Sequence, residues 1–281
     1  MQETLFIKKS AGLKWVRSFY LIILVFFAGC VWLNALRLGA SLESAFLVFL
    51  GSILFVRWGG PWVFSETQQH DLWPWGLALG GIMFLGLASG LQFLLALGWC
   101  LGLWGWLRGF THMHSQRQLA QLMMVLLFMF PWVSADGWLL EWYFRLSAAS
   151  VAESFLQWIG VEAVRSGVHL WVNAFELEVA RSCSGLHTLE GTLFFGTLLT
   201  YHFLGGRLIY WVALCVLPLL AWACNIIRVS SLCWAAAEWG PTFLTEMLHQ
   251  WGGLITLALL MLLYVGLLTA LRSLFSKTHE F

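Results

Sequence analysis

The chain has 281 residues, of which 60% are hydrophobic and 10% charged, with a formal net charge of +1. A soluble domain carries about a quarter charged residues, so a water-soluble globule is excluded, and a near-neutral chain offers no basic face for nucleic acid. The apolar residues lie in long runs, the signature of membrane helices that satisfy their own backbone hydrogen bonds in lipid.

A span needs about 20 mostly apolar residues. Eight stretches qualify, at about 18–36, 38–56, 72–88, 91–107, 119–134, 185–204, 208–227 and 251–271. Glu43 sits near the start of the second, and Ser89-Gly90 between the third and fourth marks a tight turn. The first stretch, Phe19–Leu36, lacks a small-residue cleavage site, so no cleaved leader is expected. With the N-terminus in the cytoplasm, Arg37, Arg145, Arg165, Arg181 and Arg228 lie outside, leaving ten of the 15 Lys and Arg inside, in keeping with the positive-inside rule. The expected fold is an all-α integral membrane bundle of about eight transmembrane helices in the cytoplasmic (inner) membrane, both termini cytoplasmic. The 19 tryptophans fit its two lipid–water interfaces.

This topology divides the chain into spans one to five (1–134), an extracytoplasmic segment (135–182) and spans six to eight (183–281). In the external segment, Trp138–Trp158 has apolar residues at helical spacing and reads as an amphipathic helix along the membrane surface. Val168, Leu170 and Val172 then alternate, as do Phe175, Leu177 and Val179, so a small hairpin turning at Asn173-Ala174 is expected. The six cysteines fall mostly inside apolar runs and act as small hydrophobes, not as a disulfide framework.

Three reactive residues share one external depth: Cys183 at the start of span six, Arg228 at the end of span seven and His249 just before span eight. Ionisable groups at such depth are functional candidates. A helix N-terminus and Arg181 two residues earlier are both expected to lower the thiol pKa of Cys183. A packed cysteine, or a disulfide to Cys233, is the alternative; the flanking Ser182, Ser184 and Gly185 open the backbone and weaken the packing account. Asn225, three residues before Arg228, shares its helical face and is placed to orient the guanidinium, although Arg228 snorkelling to lipid phosphates is the plainer alternative. A histidine suits proton transfer near neutral pH, which is the case for His249; an interfacial histidine with no chemistry is the alternative. His187 and Glu190, four and seven residues after Cys183, are expected on its helical face, lining a substrate groove or supporting the thiol from one turn away.

"CSG" at Cys183–Gly185, "NIIR" at Asn225–Arg228 and "HQWGG" at His249–Gly253 occur in this order. Together they resemble the exosortase/archaeosortase family of integral-membrane cysteine transpeptidases, which carries Cys-Ser-Gly, Asn-x-x-Arg and a late His followed four residues on by Gly, each at the outer end of a span. The resemblance covers about 165–270 and departs from the family pattern at "ARS" before the cysteine and "HTLEG" after it. It implies exported protein substrates with a C-terminal tail made of a short motif, a transmembrane helix and a basic cluster. It implies further that Cys183 forms a thioester acyl-enzyme, that Arg228 stabilises the oxyanion, that His249 transfers protons, and that a lipid, another nucleophile or water accepts the acyl group. No metal or other cofactor is called for. The alternative is a haem-handling or transport membrane protein without peptidase chemistry. "RWGGPWVF" at 57–64 resembles the tryptophan-rich segments of haem handlers, but the topology puts it on the cytoplasmic side.

Overall fold

The computed structural model describes residues 18–31, 33, 42–63, 73–110, 116–173, 175–240 and 246–277; for 42–44, 110, 139, 182, 246–250 and 275–277 it describes the backbone alone. Among the described residues the chain is all-α apart from one small sheet. Its elements in order are α1 (Ser18–Val31), α2 (Leu42–Gly59), α3 (Trp73–Ser89), α4 (Gln92–Phe110), α5 (Gln116–Met129), α6 (Trp132–Asp136), α7 (Trp138–Trp158), β1 (Ala163–Ser166), β2 (His169–Val172), β3 (Phe175–Glu178), a 3₁₀ turn (Arg181–Cys183), α8 (Leu186–Leu204), α9 (Ile209–Trp239) and α10 (Glu246–Lys277). A helix therefore occupies each of the eight apolar stretches. Among the described residues, Ile209–Trp239 and Trp251–Leu274 are long and apolar enough to cross a membrane, and Ser18–Val31, Ala45–Gly59 and Trp73–Ser89 are shorter apolar helices. The chain forms two compact units, Met1–Asp136 and Gly137–Phe281.

In the first unit, α3 and α4 pair through the turn expected at Ser89-Gly90, where Gly90 takes φ 74°, a value that favours glycine. The first amides of α4 lack intrahelical partners, and Asp136 accepts both: Gln92 N–H at 3.0 Å on Oδ1 and Phe93 N–H at 2.6 Å on Oδ2. Gln92 Nε2 donates to Val31 O at 2.9 Å and Trp99 Nε1 to Leu24 O at 3.0 Å, which fastens α1 to α4. The fifth stretch, read as one span to residue 134, is interrupted: α5 stops at Met129 and α6 starts at Trp132. Pro131 lies at the break, where it has no N–H to continue the ladder.

In the second unit, α7 has the expected bounds. Its face of small residues, Ala148, Ala149 and Ala152 with Leu156, is buried together with the sheet residues Leu170 and Val172 and with Val229 and Cys233 of α9. Trp222 Nε1 of α9 donates to Ser147 Oγ of α7 at 3.0 Å. The hairpin is present: β2 and β3 pair antiparallel with Val172 opposite Phe175, and Asn173 in the turn takes φ 52°. Ala174 lies outside the described residues. Val168, Leu170 and Val172 are buried as their alternation requires. β1 is an additional strand, antiparallel to β2 with Ala163 opposite Val172. Its outer edge is closed by α7, through Arg165 N–H on Glu153 Oε1 at 2.9 Å and Gln157 Nε2 on Ala163 O at 2.8 Å.

Helices α8, α9 and α10 pack closely because small residues face large ones. A Cβ on Gly196 would come within 2.4 Å of Leu217, and one on Gly191 within 3.2 Å of Leu257, the close approach that glycine permits between membrane helices. Tyr264 of α10 donates to Ala213 O of α9 at 3.0 Å, and its Oη lies 2.7 Å from Thr200 Oγ1 of α8, all buried. One phenol therefore ties three helices together.

Candidate active site

Cys183 closes the 3₁₀ turn, its N–H donating to Ala180 O at 2.9 Å. Ser184 N–H bonds Arg181 O at 3.0 Å, and Gly185 then takes φ 83° as the N-cap of α8. Only glycine fits there. The left-handed region favours it, and a Cβ would come within 2.5 Å of Asn225 Cγ. Asn225, 2% exposed, sends Nδ2 to the carbonyls of Cys183 and Ser184, both at 3.2 Å. It thus holds the cysteine turn itself, in contrast to its expected bond to the Arg228 guanidinium.

Arg228 is half-buried and lies well inside α9, not at its end, because the helix continues to Trp239. From Ile209 to Arg228 the helix rises about 28 Å, close to the thickness of a hydrocarbon core, so the hydropathy pattern marks the edge of a span inside a longer helix. The guanidinium lies against α10: a Cβ on Gly253 would be 3.5 Å from Nη1, and one on Gly252 3.8 Å from Nε. His249 is in the first turn of α10, and Gly253, four residues on, shares its face of the helix. The His249 side chain lies outside the described residues. Three elements therefore meet: the turn carrying Cys183, the face of α9 carrying Asn225 and Arg228, and the first turns of α10.

The half-buried Cys183 thiol is raised above its ordinary pKa, because burial outweighs the positive charges of Arg228 and then Arg145. This corrects the expected lowering in two respects. The cysteine precedes the N-cap of α8 instead of sitting in its first turn, and Arg181 projects into solvent, its side chain 86% exposed and Nε 3.6 Å from Glu141. The turn at Gly185 also breaks the helical register, so His187 and Glu190 do not share a face with Cys183. His187 is exposed and Glu190 is buried at 6% exposure. Ser184 is buried, and its Oγ accepts Leu186 N–H at 3.4 Å. Cys183 packs against the cluster that contains Cys233, and no disulfide joins the two. No group of three or more potential metal ligands exists among the described residues.

Arg145 carried no weight in the sequence beyond its charge. It is 7% exposed on α7, and Nε donates to Val179 O at 2.6 Å while Nη2 donates to Glu178 Oε1 at 2.8 Å. Its partners are 33 and 34 residues away, a separation that no local pattern reveals.

Apolar helices, two of them long enough to cross a membrane, hold a half-buried cysteine in a turn fastened to Asn225, as in a helical membrane protein. The chain belongs to the transmembrane exosortase family, whose model matches residues 15–266. No curated protein and no solved structure matches it.

Proposed function

We propose that the protein is an intramembrane cysteine transpeptidase or protease that cleaves the C-terminal sorting signals of exported proteins. The observation that carries this reading is the convergence of the Cys183 turn, Asn225 with Arg228, and the start of α10 in a chain of the exosortase family. In this reading eight helices cross the inner membrane, both termini are cytoplasmic and the cysteine faces the extracytoplasmic side. The rise of α8 supports it: 19 residues from Leu186 to Leu204 span about 27 Å, which matches α9 up to Arg228. A substrate helix in the same bilayer presents its outer end at the depth of Cys183, so membrane anchoring supplies much of the alignment.

The raised thiol pKa makes the resting group a thiol, and attack then requires a base to take the sulfur proton. His249 fills that role. The sulfur adds to the scissile carbonyl while Arg228 stabilises the oxyanion. The C–N bond breaks as the amine leaves with the proton returned by His249, and a thioester remains on Cys183. An amine-bearing acceptor or water, deprotonated by His249, then attacks the thioester and releases the thiol. Asn225 and Gly185 keep the nucleophile's turn in shape, Ser184 supports it, the exposed His187 and Arg181 are open to an approaching substrate, and the buried Glu190 serves from within α8. Cys183→Ala is expected to abolish processing of a tailed substrate in membranes that contain the folded variant. Processing at the normal rate would exclude this mechanism.

A further inference from the structure

The chain enters the cysteine turn through residues 179–182, immediately after β3. Val179 N–H is held by Val168 O at 3.0 Å, so the sheet fixes one side of this approach. Its other side is fixed by Arg145. A buried guanidinium is stable only when its donors are matched and its charge is balanced. Here Nε is matched by Val179 O at 2.6 Å and Nη2 by Glu178 at 2.8 Å, with Glu141 3.6 Å from Nη1. The next carbonyl, Ala180 O, receives the N–H of Cys183 itself. Upstream of the thiol the backbone is therefore clamped by α7, and downstream by Asn225 of α9.

We propose that Arg145 is a positioning residue for Cys183, one that fixes the strand feeding the cysteine turn and keeps a cationic group within electrostatic reach of the sulfur. This rests on the reading of Cys183 as the nucleophile. The position serves both purposes: a charge buried in the unit is weakly screened, and the two hydrogen bonds leave the strand end little freedom. Among the positive charges acting on the thiol it is second to Arg228. The geometry also separates the two contributions. A lysine keeps the charge but has no planar fork to reach Val179 O and Glu178 together, whereas a glutamine loses the charge.

The test measures two quantities in Arg145→Lys, Arg145→Gln and Glu178→Gln proteins in native membranes: alkylation of Cys183 by a small iodoacetamide against pH, and single-turnover processing of a tailed substrate. Removing a positive charge disfavours the thiolate, so Arg145→Gln is expected to move the alkylation midpoint up by about half a pH unit or more. Arg145→Lys is expected to keep the midpoint near wild type yet lose roughly tenfold in processing rate at saturating substrate, because alignment is impaired. Glu178 is about half exposed on its side chain and a glutamine keeps an oxygen to accept from Arg145 Nη2, so Glu178→Gln is expected to fold and to slow processing about threefold with KM unchanged. An unmoved midpoint in a folded Arg145→Gln protein would overturn the proposal. If that variant does not fold, wild-type rates in both Arg145→Lys and Glu178→Gln would overturn it. Alkylation needs no substrate, so a shifted midpoint in a protein whose Cys183→Ala variant still processes substrate would leave the clamp standing and remove the proposed function instead.

Discussion

In the first unit, polar side chains mostly close or join helices: Asp136 caps α4, Gln92 reaches Val31, and Trp99 reaches Leu24. In the second, Arg145 of α7 and Asn225 of α9 bond the backbone on either side of Cys183, the sheet residues pack in the same cluster as the cysteine, and Arg228 lies against Gly252 and Gly253 of α10. Both units are built from apolar helices. The difference teaches that polar groups in an apolar frame can join helix to helix, as in the first unit, or gather on one short turn, as in the second. Pairing satisfies backbone groups and stabilises; gathering on one turn leaves an arginine and a thiol in a partly dry place where electrostatics act strongly.

Changes in the second unit should therefore alter chemistry, and comparable changes in the first should alter stability alone. The largest effect after loss of the cysteine is expected for Arg228→Gln, which removes the proposed oxyanion donor and should lower the processing rate on the order of 100- to 1000-fold with KM little changed. A small loss accompanied by a raised KM would turn Arg228 into a binding residue. Gly185→Ala comes next. A non-glycine residue in the left-handed region costs about 1–2 kcal/mol, and its Cβ would also push on Asn225, so processing should fall roughly tenfold with a lower melting temperature. Full activity in this variant would mean that the turn is not the nucleophile's seat. The smallest effect is expected for Asp136→Asn, which weakens the double cap on α4 by about 1 kcal/mol, visible in thermal unfolding, while processing stays within about twofold. If Asp136→Asn abolished processing in a folded protein, the contrast between the two units would fail.

Much of this organisation is legible in the sequence, because it rests on periodicity. Alternation at Val168, Leu170 and Val172 marks β2, and Asn173 marks its turn, since it tolerates a positive φ. The bounds of α7 follow from helical spacing. β1 escapes this reading because its alternation is inverted: Ala163 is the buried residue and Val164 the exposed one, so no apolar period announces a strand. The end of α9 escapes for another reason. Hydropathy stops near Arg228, whereas "VSSLCWAAAEW" continues the helix through residues that pack on α7. At the site, the motif order points to Cys183, Asn225 and Arg228, but a left-handed glycine cannot be seen in helical arithmetic, so unbroken helical spacing puts His187 and Glu190 on the cysteine's face. The thiol's shift has the wrong sign in a sequence-only account because burial, its largest cause, depends on tertiary packing. Arg145 is invisible for the same reason.

The central claim is that the Cys183 sulfur forms a bond to substrate. Mass spectrometry of protein quenched in acid during turnover of a tailed substrate tests it most directly. The account predicts a substrate acyl group on the peptide containing Cys183, released by neutral hydroxylamine and missing in Cys183→Ser. Turnover that proceeds with Cys183 unmodified throughout, or an acyl group carried by another residue, would contradict it.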